Sequence, residues 1–485
     1  MKEIKEQFLA SSTIKAADRE HRRKINFNIG KYNAVVPKGK QQFMDVELAR
    51  EKAKNAKWKA IATLDKQLEL FESIITSRGA KVIWAEDATQ AQEAIGRICK
   101  EKNCKTLVKS KSMVTEEIHL NDYLTSIGVE SVETDLGEYI QQLDGEPPYH
   151  IVTPAMHKSK EDVAKLFAEK LGTDPKATPE QLTLKAREVL RKKYVQAEVG
   201  VTGANFIVAD VGGIAVTENE GNARLSCAWP STHIVVVGIE KVINSVNELG
   251  LFWPLLATYG TGQRVTVYNS LVMGPRQSGE TDGPEEMIVI LLDNGRTTIL
   301  RDERQRESLY CIRCGACLNA CPIYKNIGGH SYGVTYSGPI GSVITPHLQG
   351  LEEYKHLSYA SSLCGNCTAV CAVKINLHEL LLENRNQSVR EEKNDWKEKM
   401  AWQAWKQAML FRPALNMANG KMKNWFVNKV FKSWTTQRGP CNFRIAHSIS
   451  VGAISLAIPD LLHSLGFRLF RCRSVFKCFV YQPYS

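Results

Sequence analysis

The stretch Cys311-Ile312-Arg313-Cys314-Gly315-Ala316-Cys317-Leu318-Asn319-Ala320-Cys321-Pro322 spaces four cysteines as C-x2-C-x2-C-x3-C and closes on proline. Three thiolates two residues apart on a tight loop converge on three irons of one [4Fe-4S] cube, and the fourth, past a bend, reaches a different cube. The pattern therefore calls for a second cysteine group. Cys364, Cys367 and Cys371 supply it. An offset of 50 residues carries Cys314, Cys317 and Cys321 onto these three, Cys311 onto Ser361 and Pro322 onto Ala372.

In two-cluster ferredoxins the fourth cysteine of such a run ligates the other cluster. Crossed ligation assigns Cys311, Cys314, Cys317 and Cys371 to a first cluster, and Cys321, Cys364 and Cys367 to a second. The second is one thiolate short. It is expected to be a [3Fe-4S] centre, or a [4Fe-4S] centre whose last iron takes water, the hydroxyl of Ser361 or Ser362, or His356. The competing metal is structural zinc on Cys311, Cys314, Cys364 and Cys367, which leaves Cys317, Cys321, Cys371 and Pro322 without a role. Residues 1–26 are charged throughout and have no apolar core segment, so a reducing, cytoplasmic setting is expected rather than a disulfide framework. Of 13 cysteines, the other six (Cys99, Cys104, Cys227, Cys441, Cys472 and Cys478) share no metal spacing and read as packing residues.

A chain of 485 residues exceeds a single core, and 43% hydrophobic with 24% charged residues is an ordinary globular composition. Residues 1–45 read as a helical extension, 46–300 as an α/β domain, 301–384 as the iron-sulfur domain, 385–437 as a basic helical segment, and 438–485 as an atypical tail. In the α/β part, strands are expected at 81–85, 106–108, 129–133, 150–153, 233–239 and 286–293, with a hairpin at 205–217. Helices are expected at 89–102 and 112–127, capped by Asp87 and Ser112, and at 159–172 and 179–197. Alternating strands and helices imply a parallel sheet.

No G-x-G-x-x-G follows any of these strands, and no G-x-x-x-x-G-K-[ST] occurs. Removal of a hydride equivalent normally requires a two-electron cofactor, so chemistry on an organic substrate is expected mainly on a partner, with the clusters passing single electrons. Lys109 and Lys111, at the end of a strand, could hold an anionic substrate. Glu218, Glu220 and Asn222 in a polar turn are candidates for ligand binding, and Gly260, Gly262, Gln263 and Arg264 for an anion cradle.

Residues 385–434 hold 11 Lys and Arg against 4 Asp and Glu, and carry Trp396, Trp402, Trp405, Trp425 and Trp434. Trp402, Trp405 and Met409 share a helical face that must bury against the chain's own core or a partner. No DNA or RNA motif accompanies the charge, so nucleic acid is not expected. Residues 439–485 contain one acidic residue, Asp460, unlike the Lys- and Glu-rich chain before them, which suggests an altered reading frame. The apolar run 448–465 is broken by Gly452, Pro459, Asp460 and His463, against a membrane anchor.

Several longer stretches carry a family resemblance: Lys109-Ser110-Lys111-Ser112-Met113, Glu133-Thr134-Asp135-Leu136-Gly137-Glu138-Tyr139, Thr202-Gly203-Ala204-Asn205-Phe206 and Glu218-Asn219-Glu220-Gly221-Asn222. With both cysteine runs and Val373-Lys374-Ile375-Asn376-Leu377, they resemble the lactate utilization protein B family, the ferredoxin-like component of a three-protein bacterial L-lactate oxidation system. The likeness spans roughly residues 1–437. It implies an α/β domain related to sugar-phosphate isomerases and CoA transferases, followed by a helical ferredoxin-type domain. It also implies electron transfer during oxidation of L-lactate to pyruvate, with the other proteins of that system as partners, a downstream acceptor such as a quinone, and peripheral membrane association through partners. The alternatives are a self-contained oxidoreductase or acyl/CoA-binding enzyme using the α/β pocket, and a zinc-stabilised interaction protein. The seven cysteines match the family's ligands one by one, including the missing eighth at Ser361, whereas Ala372 departs from its usual proline.

Overall fold

The computed structural model describes residues 2–391, 396–411 and 420–430. The described residues up to 391 form one compact unit. Its strands, in chain order, are β1 (Lys81–Ala85), β2 (Thr106–Lys109), β3 (Glu130–Glu133), β4 (Val199–Thr202), β5 (Phe206–Val208), β6 (Gly213–Glu218), β7 (Thr232–Gly238), β8 (Val242–Ile243), β9 (Tyr268–Val272) and β10 (Glu286–Leu292). Six of them form a wholly parallel sheet in the order β1-β10-β7-β4-β2-β3. Central β7 is buried at every residue and β10 at all but the first, as strands covered on both faces must be. A second sheet, β8-β5-β6-β9, contains the antiparallel β5–β6 hairpin expected around Gly212-Gly213.

Chain direction diverges within the parallel sheet. From β2 the chain goes outward to β3, while from β4 it goes to β7 and then β10 on the other side. Such a switch leaves a crevice at the carboxyl ends of the strands, where α/β folds bind ligands. Here the loops after β2 and β4 come close together: a Cβ on Gly203 would stand 2.6 Å from Ser112 Oγ, so only glycine fits.

Local signals set most boundaries. Asp87 accepts from Gln90 N and Ser112 from Thr115 N at two of the expected caps, and Ser159 and Thr178 form capping boxes on Lys160–Leu171 and Pro179–Gln196. The helix expected over 112–127 is two, Met113–Glu117 and Leu120–Ser126, because His119 adopts a left-handed backbone (φ 48) between them.

Residues 150–153 are not a strand. His150 Nδ1 accepts from Val152 N at 3.1 Å and Thr153 N at 3.2 Å, and Tyr149 N donates to Pro154 O. These local bonds occupy amides that a ladder would need, and prolines at 147, 148 and 154 flank the segment. The run is an internally bonded bend under the cysteine loops.

Four helices precede β1: Lys2–Ala17, Arg19–Lys40, Val46–Ala62 and Leu64–Ser77. The third ties the two halves of the unit together. Arg50 donates to Cys371 O and Ala369 O, Lys54 pairs with Glu307 at 2.6 Å, and buried Lys57 donates to Glu240 O and Val242 O.

In the second unit, Trp396–Leu410 and Gly420–Val430 are helical, and Trp396, Trp402 and Trp425 are exposed. Trp434, the side chains of Trp405 and Met409, and the atypical tail lie outside the described residues. Among the described residues no helix is long and apolar enough to cross a membrane.

Candidate functional site: two cysteine loops beside an α/β cavity

Short helix Ala316–Ala320 lies within the first cysteine run and Pro322–Ile327 follows it, while Asn366–Ala369 lies within the second and Leu377–Arg390 follows it. The two loops share an unusual backbone. Arg313 (φ 61) and Leu363 (φ 53) are left-handed just before Cys314 and Cys364, and Gly315 (φ 77) and Gly365 (φ 78) are left-handed just after. Two non-glycine residues held in that region mark a backbone whose surroundings outweigh its strain.

Folding brings the seven cysteines together in two groups. Cys311, Cys314, Cys317 and Cys371 line one small cavity walled by Ile151, Ile340, Ile375 and Leu377. Burial, then the neighbouring thiols, pushes the Cys314 thiol up to about 12 and Cys317 well above its ordinary value. Cys371 is also pushed up to about 12, by burial and then by Cys314. Burial, then Cys321, lifts Cys367 to about 11, and Cys364 acts on both Cys321 and Cys367. All the described cysteines are free.

The donor set fits iron-sulfur clusters. Buried thiols that raise one another ionise only against a compensating cation, and soft thiolates suit Fe–S centres. Backbone amides already point at sulfur, from Arg313 N to Cys311 Sγ at 3.4 Å and from Ile375 N to Cys371 Sγ at 3.3 Å. Two of the side chains considered as extra ligands for the second group are engaged locally. Ser361 Oγ accepts from Leu363 N, and His356 Nδ1 is 3.0 Å from Glu353 O with its ring 5.2 Å from Phe8, although its Nε2 has no partner.

Beside the first loop lies a cavity of about 400 Å³ at the carboxyl ends of β2, β3, β4 and β7. Lys111, Glu218, Glu220 and Asn222 line it, and so does Cys314. Lys111 donates to Val152 O and stands 3.5 Å from Asp135. Glu218 caps Asn222–Ala228 by accepting from Ala223 N and Arg224 N, while burial and then Asp135 raise the Glu220 carboxyl. Lys109 does not reach the cavity. Its ammonium is fully buried between Glu116 at 2.8 Å and Glu133 at 2.7 Å. Gly260 also lines the cavity, whereas Gly262 is the left-handed cap of Leu249–Thr261 and Gln263 pairs with Asn219.

Three lining residues carried no functional signal in the sequence: Lys241, Arg313 and Tyr336. They border a buried ion network. Arg296 binds Glu117 through both terminal nitrogens and Glu240 through Nε, and Tyr336 donates to Glu117 at 2.6 Å. Arg313 Nη2 is 3.6 Å from Glu240, and its guanidinium lies 4.4 Å from the Tyr336 ring centroid. Burial would raise the Glu240 carboxyl, but Arg296 and Arg313 hold it at about 2. Burial lowers Lys241 to about 8, helped by Arg313.

Comparison with known proteins places these features in a lineage. Residues 68–292 match the LUD domain and residues 307–375 match the 4Fe-4S dicluster domain. Lactate utilization protein B of Bacillus velezensis is 48% identical over 357 residues, 73% of this chain and 75% of that protein. The chain belongs to the lactate utilization protein B family. The Macrococcus caseolyticus protein of the same name is 44% identical over 391 residues, 80% of this chain and 79% of that one, and the Bacillus subtilis protein is 46% identical over 72% and 74%. In this member of the lactate utilization protein B family the LUD match ends at the last residue of β10, and the dicluster match contains all seven cysteines. A crystal structure of a DUF162 family protein from Deinococcus radiodurans aligns at 14% identity and a TM-score of 0.28, over 47% of this chain and 98% of that one.

Proposed function

We propose that this chain is an iron-sulfur electron-transfer subunit in the oxidation of L-lactate to pyruvate, carrying electrons from a substrate-oxidising partner to a downstream acceptor such as a quinone. Cys311, Cys314, Cys317 and Cys371 hold the first cluster, a [4Fe-4S] cube. Cys321, Cys364 and Cys367 hold the second, which is [3Fe-4S] or a [4Fe-4S] cube with a non-cysteine ligand. The observation that carries this reading is the single cavity lined by three cysteines of the first loop and one of the second. The name its relatives carry, lactate utilization protein B, supplies lactate. The parallel sheet with its carboxyl-end crevice supports kinship of the α/β part with the sugar-phosphate isomerase and CoA transferase-like fold.

The test is iron and acid-labile sulfide per chain on anaerobically purified protein, with EPR spectra of the oxidised and reduced states. About seven or eight irons with matching sulfide is the expected result, and near-zero iron with about one zinc would end the proposal.

A second reading, that the chain oxidises substrate itself, is favoured by one fact: Cys314 lines both the cluster cavity and the α/β cavity. Reduction of the clusters by lactate in the isolated chain supports it. Reduction only with the partner proteins present supports the first.

A further inference from the structure

The α/β cavity is lined by two cations, Lys241 and Arg313, that keep donors without a hydrogen-bond partner. Lys241 follows β7 in the turn Ile239–Lys241, is 6% exposed, and its ammonium has no hydrogen-bond or ion-pair partner among the described residues. Arg313 lines the same cavity with Nη1 buried and unpartnered. Charge balance points the same way. Three cations, Arg296, Arg313 and Lys241, share this corner with two carboxylates, Glu117 and Glu240, and with the Cys311 sulfur; Arg296 engages both carboxylates, and Arg313 stands 3.6 Å from Glu240. An ammonium held inside a cavity wall with no acceptor for its hydrogens is costly, so the corner is suited to receive a negative group.

We propose that Lys241 and Arg313 form the carboxylate-binding end of a ligand site in the α/β cavity, and that the ligand is a small organic acid. Guanidinium forks bind carboxylates in the plane of both groups, and an ammonium adds a point charge beside them. Three carboxylates, Asp135, Glu218 and Glu220, line the cavity too, the first and last of them acting on Lys111. Their charge disfavours a multiply charged anion such as phosphate, whereas a monocarboxylate presents one charged end and an uncharged remainder. Placement agrees, because the two cations stand at the carboxyl ends of the sheet strands, where the chain direction diverges. The choice of 2-hydroxy and 2-oxo acids among monocarboxylates rests on the function proposed above, while the carboxylate site itself does not.

Anaerobic titration calorimetry on the full-length holoprotein tests this, with L-lactate, pyruvate and inorganic phosphate as separate ligands. Lactate or pyruvate is expected to bind, and Lys241→Met to weaken binding about tenfold to a hundredfold, the loss of one charged hydrogen bond. Lys241→Arg should restore most of the affinity. A second variant guards against a folding defect: Ala204→Leu fills the cavity from the loop after β4 without touching a charge, and should also abolish binding. Iron content measured alongside separates this proposal from the cluster assignment, since a protein without iron that still binds lactate would overturn only the latter. Binding of phosphate alone, no binding of any of the three, or affinity unchanged in both Lys241→Met and Ala204→Leu would overturn the site. So would a Lys241→Met protein whose cluster potential moves while its ligand affinity does not, because Lys241 would then serve only the cluster.

Discussion

The amide of Arg313 donates to Cys311 Sγ at 3.4 Å while its side chain stands 3.6 Å from the carboxylate of Glu240. One residue thus touches a cysteine sulfur of the first loop with its backbone and the ion network of the α/β part with its guanidinium. Replacement of Arg313 by Gln removes a buried positive charge beside the first cluster and should make that cluster harder to reduce. An EPR-monitored redox titration should show its potential fall, about 59 mV for each tenfold change in the one-electron equilibrium, with the second cluster less affected.

Crossed ligation makes a separate demand on Cys321. Its thiol interacts with Cys364 and lies outside the cavity shared by Cys311, Cys314, Cys317 and Cys371. Cys321→Ala should therefore destroy the cluster of the second loop and spare the one built around its own motif, as read by EPR and by the iron remaining per chain. Selective loss of the first cluster would refute the crossed assignment.

Arg296→Met should be among the most destabilising single changes. Arg296, Glu117 and Glu240 are each about 2% to 3% exposed, and removal of the guanidinium leaves two buried carboxylates without their main partner. A cost of about 3–5 kcal/mol is expected, measurable by denaturant unfolding.

Lys109→Met separates a structural lysine from a ligand-binding one. Because Lys109 is enclosed by Glu116, Glu133 and Thr115, the change should lower stability by about 3–5 kcal/mol and leave the affinity of the α/β cavity for carboxylates unchanged. A loss of ligand affinity with stability intact would reverse that assignment.

His233, the second residue of β7, gives a pH signature. Burial lowers its imidazole to about 3, and Thr202 Oγ1 lies 2.8 Å from Nε2. The unfolded chain takes up this proton near pH 6.5 and the folded one does not. The neutral ring's contribution is therefore complete above pH 6.5 and is lost as pH falls from there towards 3. His233→Gln should flatten the stability-versus-pH curve in that window by one proton, about 1.4 kcal/mol per pH unit.

The cysteines were legible because their chemistry is written in spacing, which survives without any knowledge of the fold. Long amphipathic helices and the fully buried strands β7 and β10 were legible for a similar reason: period and apolar runs are local properties. What escaped depends on distant partners. Val199-Gly-Val-Thr of β4 is four residues long and becomes a strand only between β2 and β7. The segment 150–153 has strand-like residues, yet the His150 ring claims its amides. Lys109 and Lys111 look alike in sequence, and strand alternation would put positions two apart on one face, but β2 ends at Lys109, so one lysine ends inside the protein and the other, in the loop beyond, at a cavity wall. Lys241 and Arg313 gave no signal at all, because their meaning lies in a cavity formed by loops far apart in the chain.

Arg50 fixes the carbonyl of Cys371 across a separation of 321 positions. During synthesis, the arm that steadies the second cysteine loop emerges long before that loop exists. A ribosome-bound fragment ending between the two loops would carry the first three sulfurs and Arg50 but neither the fourth sulfur, of Cys371, nor the carbonyl that Arg50 holds. On the proposed ligation, the four-sulfur set of the first cluster is complete only once the helix carrying Arg50 and the loop carrying Cys371 have met. A defect in Arg50 would register first as poor maturation in the cell, before any change in the finished protein.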